Sequence, residues 1–269
     1  MAFMRLSIIT INYNNKAGIQ KTIDSVISQT WKDFEWLVID GGSSDGSKEL
    51  IEQYQQHFSY WCSEPDKGIY NAMNKGIALA KGEYCLFLNS GDYLCSPDVL
   101  SFVFTNLRRE DIIYGNVIIK GEKTETVLKG FHSDHILGVD MVKSTICHQT
   151  AFIKKDLFGK CGYYDESLTM VSDWKFFFVA ILMHKCSVKY IDVNVSYYDL
   201  TGFSTNYPKK LEEEKIKVLK GMLPDFVVHD YLDNLHVNEI LKYNLTRKCF
   251  ALLYRIVLFY EKRKGYVLE

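Results

Sequence analysis

The sequence has little of what marks disordered, secreted or membrane-spanning chains. Its 269 residues include only four prolines and 17 glycines, too few for a collagenous or low-complexity chain. The longest apolar run, residues 176–183, has eight residues, whereas a membrane span needs about 20. The first 15 residues pass from a short apolar stretch into an Asn-rich segment and do not resemble a signal peptide. These absences predict a globular protein without a membrane span.

The sequence also lacks a large net charge and closely spaced pairs of cysteines. Lys and Arg number 32 against 33 for Asp and Glu, and the net charge of −1 disfavours a nucleic-acid partner. The seven cysteines are odd in number, and no two are spaced as C-x-x-C. Such cysteines are typical of reduced thiols rather than of disulfides or a zinc site. We therefore expect a cytoplasmic location.

Strand and helix signals alternate over the first 115 residues. Apolar runs at 6–11, 36–39 and 84–88 are separated by segments in which apolar residues recur at helical spacing. This alternation predicts an α/β fold whose central sheet is Rossmann-like, mostly parallel and flanked by helices. A polar cluster follows each run, and ligands bind at the carboxyl ends of such strands. A ligand site is expected where these clusters meet.

The pattern loosens beyond residue 115. Residues 112–114 and 117–119 predict two short strands, and a helix is predicted from Ser172 to about residue 184. Residues 209–269 read as mostly helical. With neither an internal repeat nor a flexible linker, the chain is predicted to form one domain over 1–205, with halves 1–115 and 116–205, and a C-terminal helical extension over 206–269.

The loop at 40–46 carries two carboxylates, Asp40 and Asp45, and two hydroxyls. A carboxylate at a strand end can accept hydrogen bonds from a base or from ribose hydroxyls. The alternative is a plain turn that caps the next helix.

The segment 64–76 suits an anionic ligand. A helix beginning near Gly68 would bring Asn71, Asn74 and Lys75 onto one polar face, with Ile69 on the buried side. Amides and a lysine near a helix start favour a diphosphate, although a solvated helix face is the simpler interpretation.

Two further carboxylates, Asp92 and Asp173, lie next to apolar segments of the sequence. Asp92 ends the polar stretch after the third strand and, with help from Asn89 and from substrate phosphates, could hold Mg²⁺ or Mn²⁺. Asp173 stands at the start of an aromatic helix, either as a general base or as an acidic residue favoured by the helix dipole.

Taken together, these segments resemble the family 2 glycosyltransferases, which have the GT-A fold. The resemblance covers about residues 5–205 and rests on the order of SIITINYNN, VIDGGSSDGS, SEPDKGIYNAMNKGI, LNSGD and SDWKFF. It points to bacterial members that build surface polysaccharides. It implies an inverting enzyme of hexosyltransferase type that moves a sugar from a nucleotide-diphosphate donor to a hydroxyl of a saccharide or lipid-linked saccharide. UDP-sugars are favoured, while GDP and dTDP stay open.

The resemblance also implies the roles of individual residues. Asp40 would bind the nucleobase of the donor, and Asp66 would contact the nucleotide. Asp92 would hold Mg²⁺ or Mn²⁺ on the diphosphate, and Asp173 would deprotonate the acceptor. The implied nucleotide-sugar-binding set comprises Thr10, Asn12, Asp40, Ser43, Asp45, Asp66, Asn71, Asn74, Lys75, Asn89, Ser90 and Gly91. The implied acceptor-side set comprises His148, Gln149 and Trp174.

Two departures from the family pattern support an alternative hypothesis. Asn89 and Gly91 replace aspartates of the family's usual metal motif. Ser172 replaces the glutamate that usually precedes the catalytic base, here Asp173. The alternative is a non-catalytic nucleotide- or glycan-binding relic of the same fold. The presence of both Asp92 and Asp173 argues against it, because a pure binder needs no base. A sugar nucleotidyltransferase is disfavoured because residues 12–15 lack its Gly-rich basic loop.

The C-terminal residues 242–269 contain seven Lys or Arg and two acidic residues among apolar side chains, a net charge of +5. A basic amphipathic helix could lie on the inner face of the cytoplasmic membrane, near a lipid-linked acceptor. The simpler interpretation is a helix that packs on the domain or on a second copy of the chain, giving a homo-oligomer.

Overall fold

The computed structural model describes residues 5–105, 109–121, 124–131, 136, 138–198, 207–230 and 232. The chain divides into two compact units, residues 1–211 and 212–269. All nine strands of the described sheet belong to the first unit. The polar clusters predicted above lie in this unit as well.

The amino-terminal part of the sheet is wholly parallel. It contains β1 (Leu6–Asn12), β2 (Phe34–Asp40), β3 (Tyr60–Ser63) and β4 (Tyr84–Phe87), in the spatial order β3-β2-β1-β4. Between them run α1 (Lys16–Ile27), α2 (Ser47–Gln53) and α3 (Ile69–Leu79). Strands β1 and β2 are buried along nearly their whole length, as expected for a parallel sheet covered by helices. The predicted α/β alternation is confirmed.

The carboxyl-terminal part of the sheet is mixed. After β5 (Tyr93–Leu94) and α4 (Val99–Phe104) come β6 (Ile112–Lys120), β7 (Glu125–Leu128), α5 (Gly138–Lys143), β8 (Ala151–Lys154), α6 (Asp156–Cys161), α7 (Ser172–Phe178) and β9 (Val188–Tyr198). The order continues from β4 as β8-β6-β9-β5, with β7 on β6. Strand β8 is antiparallel to both β4 and β6. The predicted parallel character therefore belongs mainly to the first four strands.

Strand β6 is one nine-residue strand rather than the two short strands predicted. Its register against β9 shifts between Tyr114 and Val117, where Asn116 interrupts the apolar pattern. The buried Asn116 amide donates to Asp192 Oδ1 at 2.8 Å and to Asn194 Oδ1 at 3.2 Å. Because these bonds satisfy the buried amide, a polar residue is kept inside the sheet.

Helix α3 begins as predicted, with Gly68 at its N-cap. Ala72, Met73 and Ile77 are buried. Ile69 is 43% exposed, so the prediction that it faces the core is wrong. It is the first residue of the helix, and the buried residues of α3 begin with the next one, Tyr70.

Helix α3 packs closely on the sheet at Gly76, and this contact supports a stability prediction. A Cβ added at Gly76 would overlap Cγ2 of the fully buried Ile9. We expect Gly76→Ala to lower the free energy of unfolding by about 1–3 kcal/mol, because core overpacking costs that much. The matched control is Gly159→Ala in α6, where a Cβ meets nothing within 4 Å. It should be neutral or stabilising by up to about 1 kcal/mol in urea unfolding. Equal effects of the two changes would contradict the packing account.

In the second unit, the described residues include most of α8 (Pro208–Met222). The predicted tail at 242–269 lies outside the described residues. Among the helices that the structure does describe, none is both long and apolar enough to cross a bilayer. The six cysteines in the described ranges are free thiols, which agrees with the prediction for those six.

Candidate active site

The polar clusters meet at one edge of the sheet. Loops 12–15, 40–46 and 89–92 follow the carboxyl ends of the parallel strands β1, β2 and β4. Because β8 runs antiparallel to β4, the residues just before β8, including His148, lie at the same edge. The candidate site is therefore assembled from segments that are far apart in sequence.

The carboxylate of Asp40 is fully buried and accepts four hydrogen bonds. Asn12 Nδ2 donates at 2.7 Å, the Ser43 backbone N–H at 2.9 Å, and the hydroxyls of Ser43 and Ser63 at 2.6 Å each. Burial alone would raise the pKa of Asp40, but these bonds lower it overall. Asp40 thus connects the carboxyl ends of β1 and β3 to the loop after β2. Its contact with the nucleobase of the donor stays a prediction.

Asp45 connects the starts of two helices. One carboxylate oxygen accepts from the Lys16 backbone N–H at 2.9 Å, and the other accepts from the Ser47 N–H at 3.0 Å and its hydroxyl at 2.5 Å. Burial would raise the pKa of Asp45, but the bonds from Ser47 and Lys16 lower it. Next to it, Gly46 has a φ of +89°, which favours glycine at this turn. The structure therefore gives Asp45 a role in shaping the loop.

Asp66 and Lys75 form a partly buried ion pair beside the Asp40 loop. Lys75 Nζ lies 2.6 Å from Asp66 Oδ1 and 2.8 Å from Glu64 Oε1. Hydrogen bonding to Asp66 and Glu64 raises the pKa of Lys75 well above its usual value. The other Asp66 oxygen lies 3.1 Å from where a Cβ on Gly41 would be. The glycine thus lets Asp66 approach the loop closely.

Asn71 and Asn74 both donate to Glu166, a residue that the sequence did not bring to notice. The Asn71 amide reaches one Glu166 oxygen at 2.9 Å, and the Asn74 amide reaches the other at 2.9 Å. Asn74 also exchanges hydrogen bonds with the Tyr164 backbone, at 2.8 and 3.1 Å. These contacts attach α3 to the segment before α7. The predicted contact of the two amides with a diphosphate is not tested by them.

The loop after β4 is held by backbone contacts. Ser90 donates its N–H to the Ile11 carbonyl at 2.9 Å and accepts from Asn15 Nδ2 at 2.9 Å. The Thr22 hydroxyl, which sequence reasoning missed, accepts from the Gly91 N–H at 3.1 Å and donates to the Asp92 carbonyl at 2.7 Å. Gly91 has a φ of +107°, a conformation that favours glycine. The loop thereby keeps Asp92 at the site edge, 5% exposed.

Asp173, the predicted base, is paired with His148. Asp173 Oδ2 lies 2.9 Å from His148 Nδ1, and Oδ1 accepts from the Trp174 N–H at 2.9 Å and the Tyr70 hydroxyl at 3.2 Å. His148 Nε2 in turn lies 3.2 Å from Asn89 Nδ2. A hydrogen on Nδ1 would satisfy both contacts of the ring. The chain Asp173–His148–Asn89 thus connects the start of α7 to the loop after β4.

The pair shifts the pKa of each partner. Burial would raise the pKa of Asp173, but the hydrogen bond and charge of His148 lower it. Burial would lower the pKa of His148, but the bond to Asp173 raises it, with a smaller contribution from the charge of Asp92. Asp173 is therefore ionised at neutral pH. The contribution from Asp92 also indicates that the two carboxylates lie within electrostatic range of the same imidazole.

Three predicted binding residues are buried. Thr10 is fully buried, and its hydroxyl accepts from Trp36 Nε1 at 3.0 Å. Trp174 is 4% exposed and donates its indole N–H to the Met141 carbonyl at 2.6 Å. Gln149 is 3% exposed. The structure gives Thr10 and Trp174 packing roles, and a ligand contact of any of the three stays a prediction.

Comparison with known proteins identifies the family. Residues 7–162 match the model of glycosyl transferase family 2. An uncharacterized glycosyltransferase of Mycobacterium tuberculosis is 32% identical over 216 residues, which cover 75% of this chain and 77% of that protein. A PGL/p-HBAD biosynthesis glycosyltransferase of Mycobacterium bovis is 31% identical over 212 residues, covering 77% and 81%.

Solved structures agree at the level of the fold. The crystal structure of S. aureus TarS in complex with UDP-GlcNAc superposes with a TM-score of 0.62 at 19% identity, covering 89% of this chain and 73% of that one. The family match covers most of the first unit, including the loops after β1, β2 and β4. The chain therefore belongs to the family 2 glycosyltransferases and is a glycosyltransferase with the GT-A fold.

Proposed function

We propose that the protein transfers a sugar, with inversion, from a UDP-sugar to a hydroxyl of a saccharide or lipid-linked saccharide acceptor. The observation that carries this proposal is the Asp173–His148 pair at the sheet edge that also holds Asp40 and Asp92. Family membership and the UDP-GlcNAc bound by S. aureus TarS support the choice of donor. The names of the mycobacterial relatives support a role in the biosynthesis of bacterial surface glycans.

Asp173 would act as the general base. As the acceptor oxygen attacks the anomeric carbon, its proton would pass to the Asp173 carboxylate and the bond from that carbon to the diphosphate would break. Inversion requires the attack to come from the face opposite the leaving group. The His148 imidazole and the Trp174 N–H fix the orientation of the carboxylate, and general base catalysis depends on such positioning.

The residues around Asp92 fit a divalent cation. Among the described residues no three His, Cys, Asp or Glu form a metal-binding cluster, but Mg²⁺ often needs only one or two protein carboxylates when phosphates supply other oxygens. Asp92 would hold the ion, and the buried Asn89 Oδ1, which has no hydrogen-bond partner among the described residues, is a second oxygen nearby in the loop. When bound, Mg²⁺ or Mn²⁺ would stabilise the charge on the departing diphosphate.

The proposed reaction also suggests the cellular location of the enzyme and its partners. A nucleotide-sugar donor and a lipid-linked acceptor would meet at the inner face of the cytoplasmic membrane, and we infer a cytoplasmic enzyme that contacts that surface peripherally. The basic residues at 242–269 are the part of the sequence suited to such contact or to a homo-oligomer.

A non-catalytic relic of the fold is the second candidate. It is favoured by the loss of carboxylates at Asn89 and Gly91 in the family's metal motif. The hydrogen-bonded Asp173–His148 pair favours catalysis instead, because a binding protein gains nothing from a buried, oriented carboxylate and imidazole.

Calorimetric titration of UDP, GDP and dTDP, each with and without Mn²⁺, tests the proposed function. We expect one nucleotide, UDP, to bind, and its affinity to increase strongly with Mn²⁺. Metal-indifferent binding would show that the substitutions at 89 and 91 have removed the cation. Failure of all three nucleotides to bind a folded sample would contradict the proposed donor, and donor binding without any turnover would favour the relic.

A further inference from the structure

Two free thiols meet in the first unit, and neither has a part in the proposed reaction. Cys161 is the last residue of α6, and Cys186 lies just before β9. Both side chains are partly exposed, and the Cys186 thiol donates a hydrogen bond to the Cys161 sulfur. The two residues are 25 positions apart in the chain. The fold, rather than local sequence, therefore brings the two sulfurs together.

Backbone contacts support this meeting of the two cysteines. Helix α6 packs against Val179–Met183, the π-helical turn that continues α7. The Cys186 N–H donates to the carbonyl of Ala180 in that turn at 3.0 Å. The N–H of the residue after Cys186 donates to Asp111 Oδ2, also at 3.0 Å. The backbone around Cys186 is thus fixed by hydrogen bonds, beside the helix that ends at the other cysteine.

The surroundings give the two thiols different chemistry. Burial raises the pKa of Cys161, while the hydrogen bond from Cys186 and the charge of Lys160 act to lower it. The pKa of Cys186 rises to about 12, mainly because of burial and of the neighbouring thiol, with a smaller contribution from Asp111. Cys161 is therefore the thiol that ionises first, and the thiolate is the form that attacks a disulfide.

The pair stands at the two ends of the segment 161–186. This segment contains Glu166, which accepts hydrogen bonds from two amides of α3, and the whole of α7 with Asp173. A covalent bond between the sulfurs would close the segment into a loop. Such a loop restricts the unfolded chain, and this restriction is the main way in which a disulfide stabilises a fold.

We propose that Cys161 and Cys186 form a redox-active thiol pair, which small disulfides of the glutathione type convert to an intramolecular disulfide that stabilises the segment 161–186. The Cys161 thiolate attacks one sulfur of the small disulfide, forms a mixed disulfide and releases the first small thiolate. Cys186 then loses its proton and attacks the Cys161 sulfur, and the second small thiolate leaves. The protein pair is oxidised by two electrons, and the small disulfide is reduced to two thiols, which take up the two protons.

Peptide mapping of the full chain tests the proposal directly. Trypsin cuts after lysine, so Cys161 and Cys186 become the first residues of two separate peptides, residues 161–175 and 186–189. The folded chain is incubated with oxidised glutathione, and the remaining thiols are alkylated before digestion. We expect the two peptides to be joined, and dithiothreitol to separate them. Separate peptides, or a peptide 161–175 joined to a different cysteine, would overturn the proposal.

A second reagent measures the proximity of the thiols without oxidising them. Phenylarsine oxide binds two neighbouring thiols with loss of water, and it is held only weakly by a single thiol. In the reduced chain we expect it to protect both Cys161 and Cys186 from alkylation. Alkylation of either cysteine at the rate seen without the reagent would contradict the contact between them.

Single substitutions and a matched control assign the bond. Cys161→Ser and Cys186→Ser should each abolish the joined peptide, and Cys186→Ser should retain glutathione on Cys161 because the displacing thiol is missing. Cys95→Ser is the control, since Cys95 is also partly exposed and burial raises its pKa to about 12. It should form the joined peptide as the wild-type chain does. A joined peptide that survives either pair substitution, or that the control loses, would overturn the assignment.

Thermal unfolding measures the effect of the bond on stability. The oxidised wild-type chain should unfold at a midpoint about 3 °C or more above that of the reduced chain, because the loop restricts the unfolded state. Cys161→Ser should unfold at the same midpoint under both conditions. An equal or lower midpoint in the oxidised wild-type chain would overturn the stabilising role. The proposal is independent of the proposed function, because the exchange needs neither donor nor base, and UDP calorimetry tests that function separately.

Discussion

Asp173→Asn is expected to slow sugar transfer by about 10²–10⁴-fold, the range that a positioned general base contributes. The amide has nearly the same shape and can still accept from the Trp174 N–H and the Tyr70 hydroxyl. It cannot take up the acceptor proton, however. Affinity for UDP should stay within about twofold, since Asp173 is not among the hydrogen-bond partners of Asp40. Initial rates of transfer and UDP calorimetry measure the two effects.

The control for this change is Asp165→Asn. Asp165 also pairs with a residue of α7, Lys175, at 2.7 Å, so its replacement perturbs the same region. It should leave turnover within about twofold while lowering stability by up to about 1 kcal/mol. Thermal unfolding of both variants checks that a loss of rate is not a loss of fold. Full turnover of Asp173→Asn would show that another group accepts the proton.

Asp92→Asn is expected to remove most of the effect of Mn²⁺ on UDP binding. The loop supplies one carboxylate, and a neutral amide holds a divalent cation far less well. We expect the enhancement by Mn²⁺ to fall by at least the roughly 10–100-fold that loss of a supporting residue costs a metal site. Binding of UDP without metal should change little. Paired titrations with and without Mn²⁺ give the ratio directly.

Asp98→Asn provides the comparison for Asp92. Asp98 lies six positions further along the chain, is exposed, and accepts from the Thr30 hydroxyl at 2.7 Å. Its neutralisation removes the same charge without touching the loop after β4. The Mn²⁺ enhancement should persist in this variant. An enhancement that survives in Asp92→Asn would place the cation on other groups and contradict the assignment.

Local pattern was enough to predict most of the parallel sheet. The apolar runs of β1, β2 and β4 are continuous because helices cover both faces of those strands. A strand that is buried on both faces can be recognised from such a run. Strand β3 escaped prediction because Tyr60 is exposed and the three residues that follow are only partly buried. Strands β7 and β8 have four residues each, and strands this short give little periodicity. Their pairing depends on tertiary contacts.

The candidate site was predictable where chemistry follows a strand, but not where distant segments meet. Asp92 and Asp173 were recognised as single carboxylates with an expected role. The contact of Asp173 with Tyr70 joins residues 103 positions apart, and that of Asn71 with Glu166 joins residues 95 positions apart. No local spacing encodes such contacts. His148 was expected on the acceptor side, and only the folded structure reveals its hydrogen bond to Asp173.

The pairing of β5 with β9 has a consequence for how the chain matures during synthesis. The β1–β4 part of the sheet has all its strands once residue 87 has been made, whereas β5, directly after Asp92, must wait for β9, which begins at Val188. Ribosomes add roughly 5–20 residues per second, so this interval lasts several seconds. The loop bearing Asp92 gains its last neighbouring strand late, and a nascent chain would acquire its nucleotide-binding framework before a complete catalytic edge.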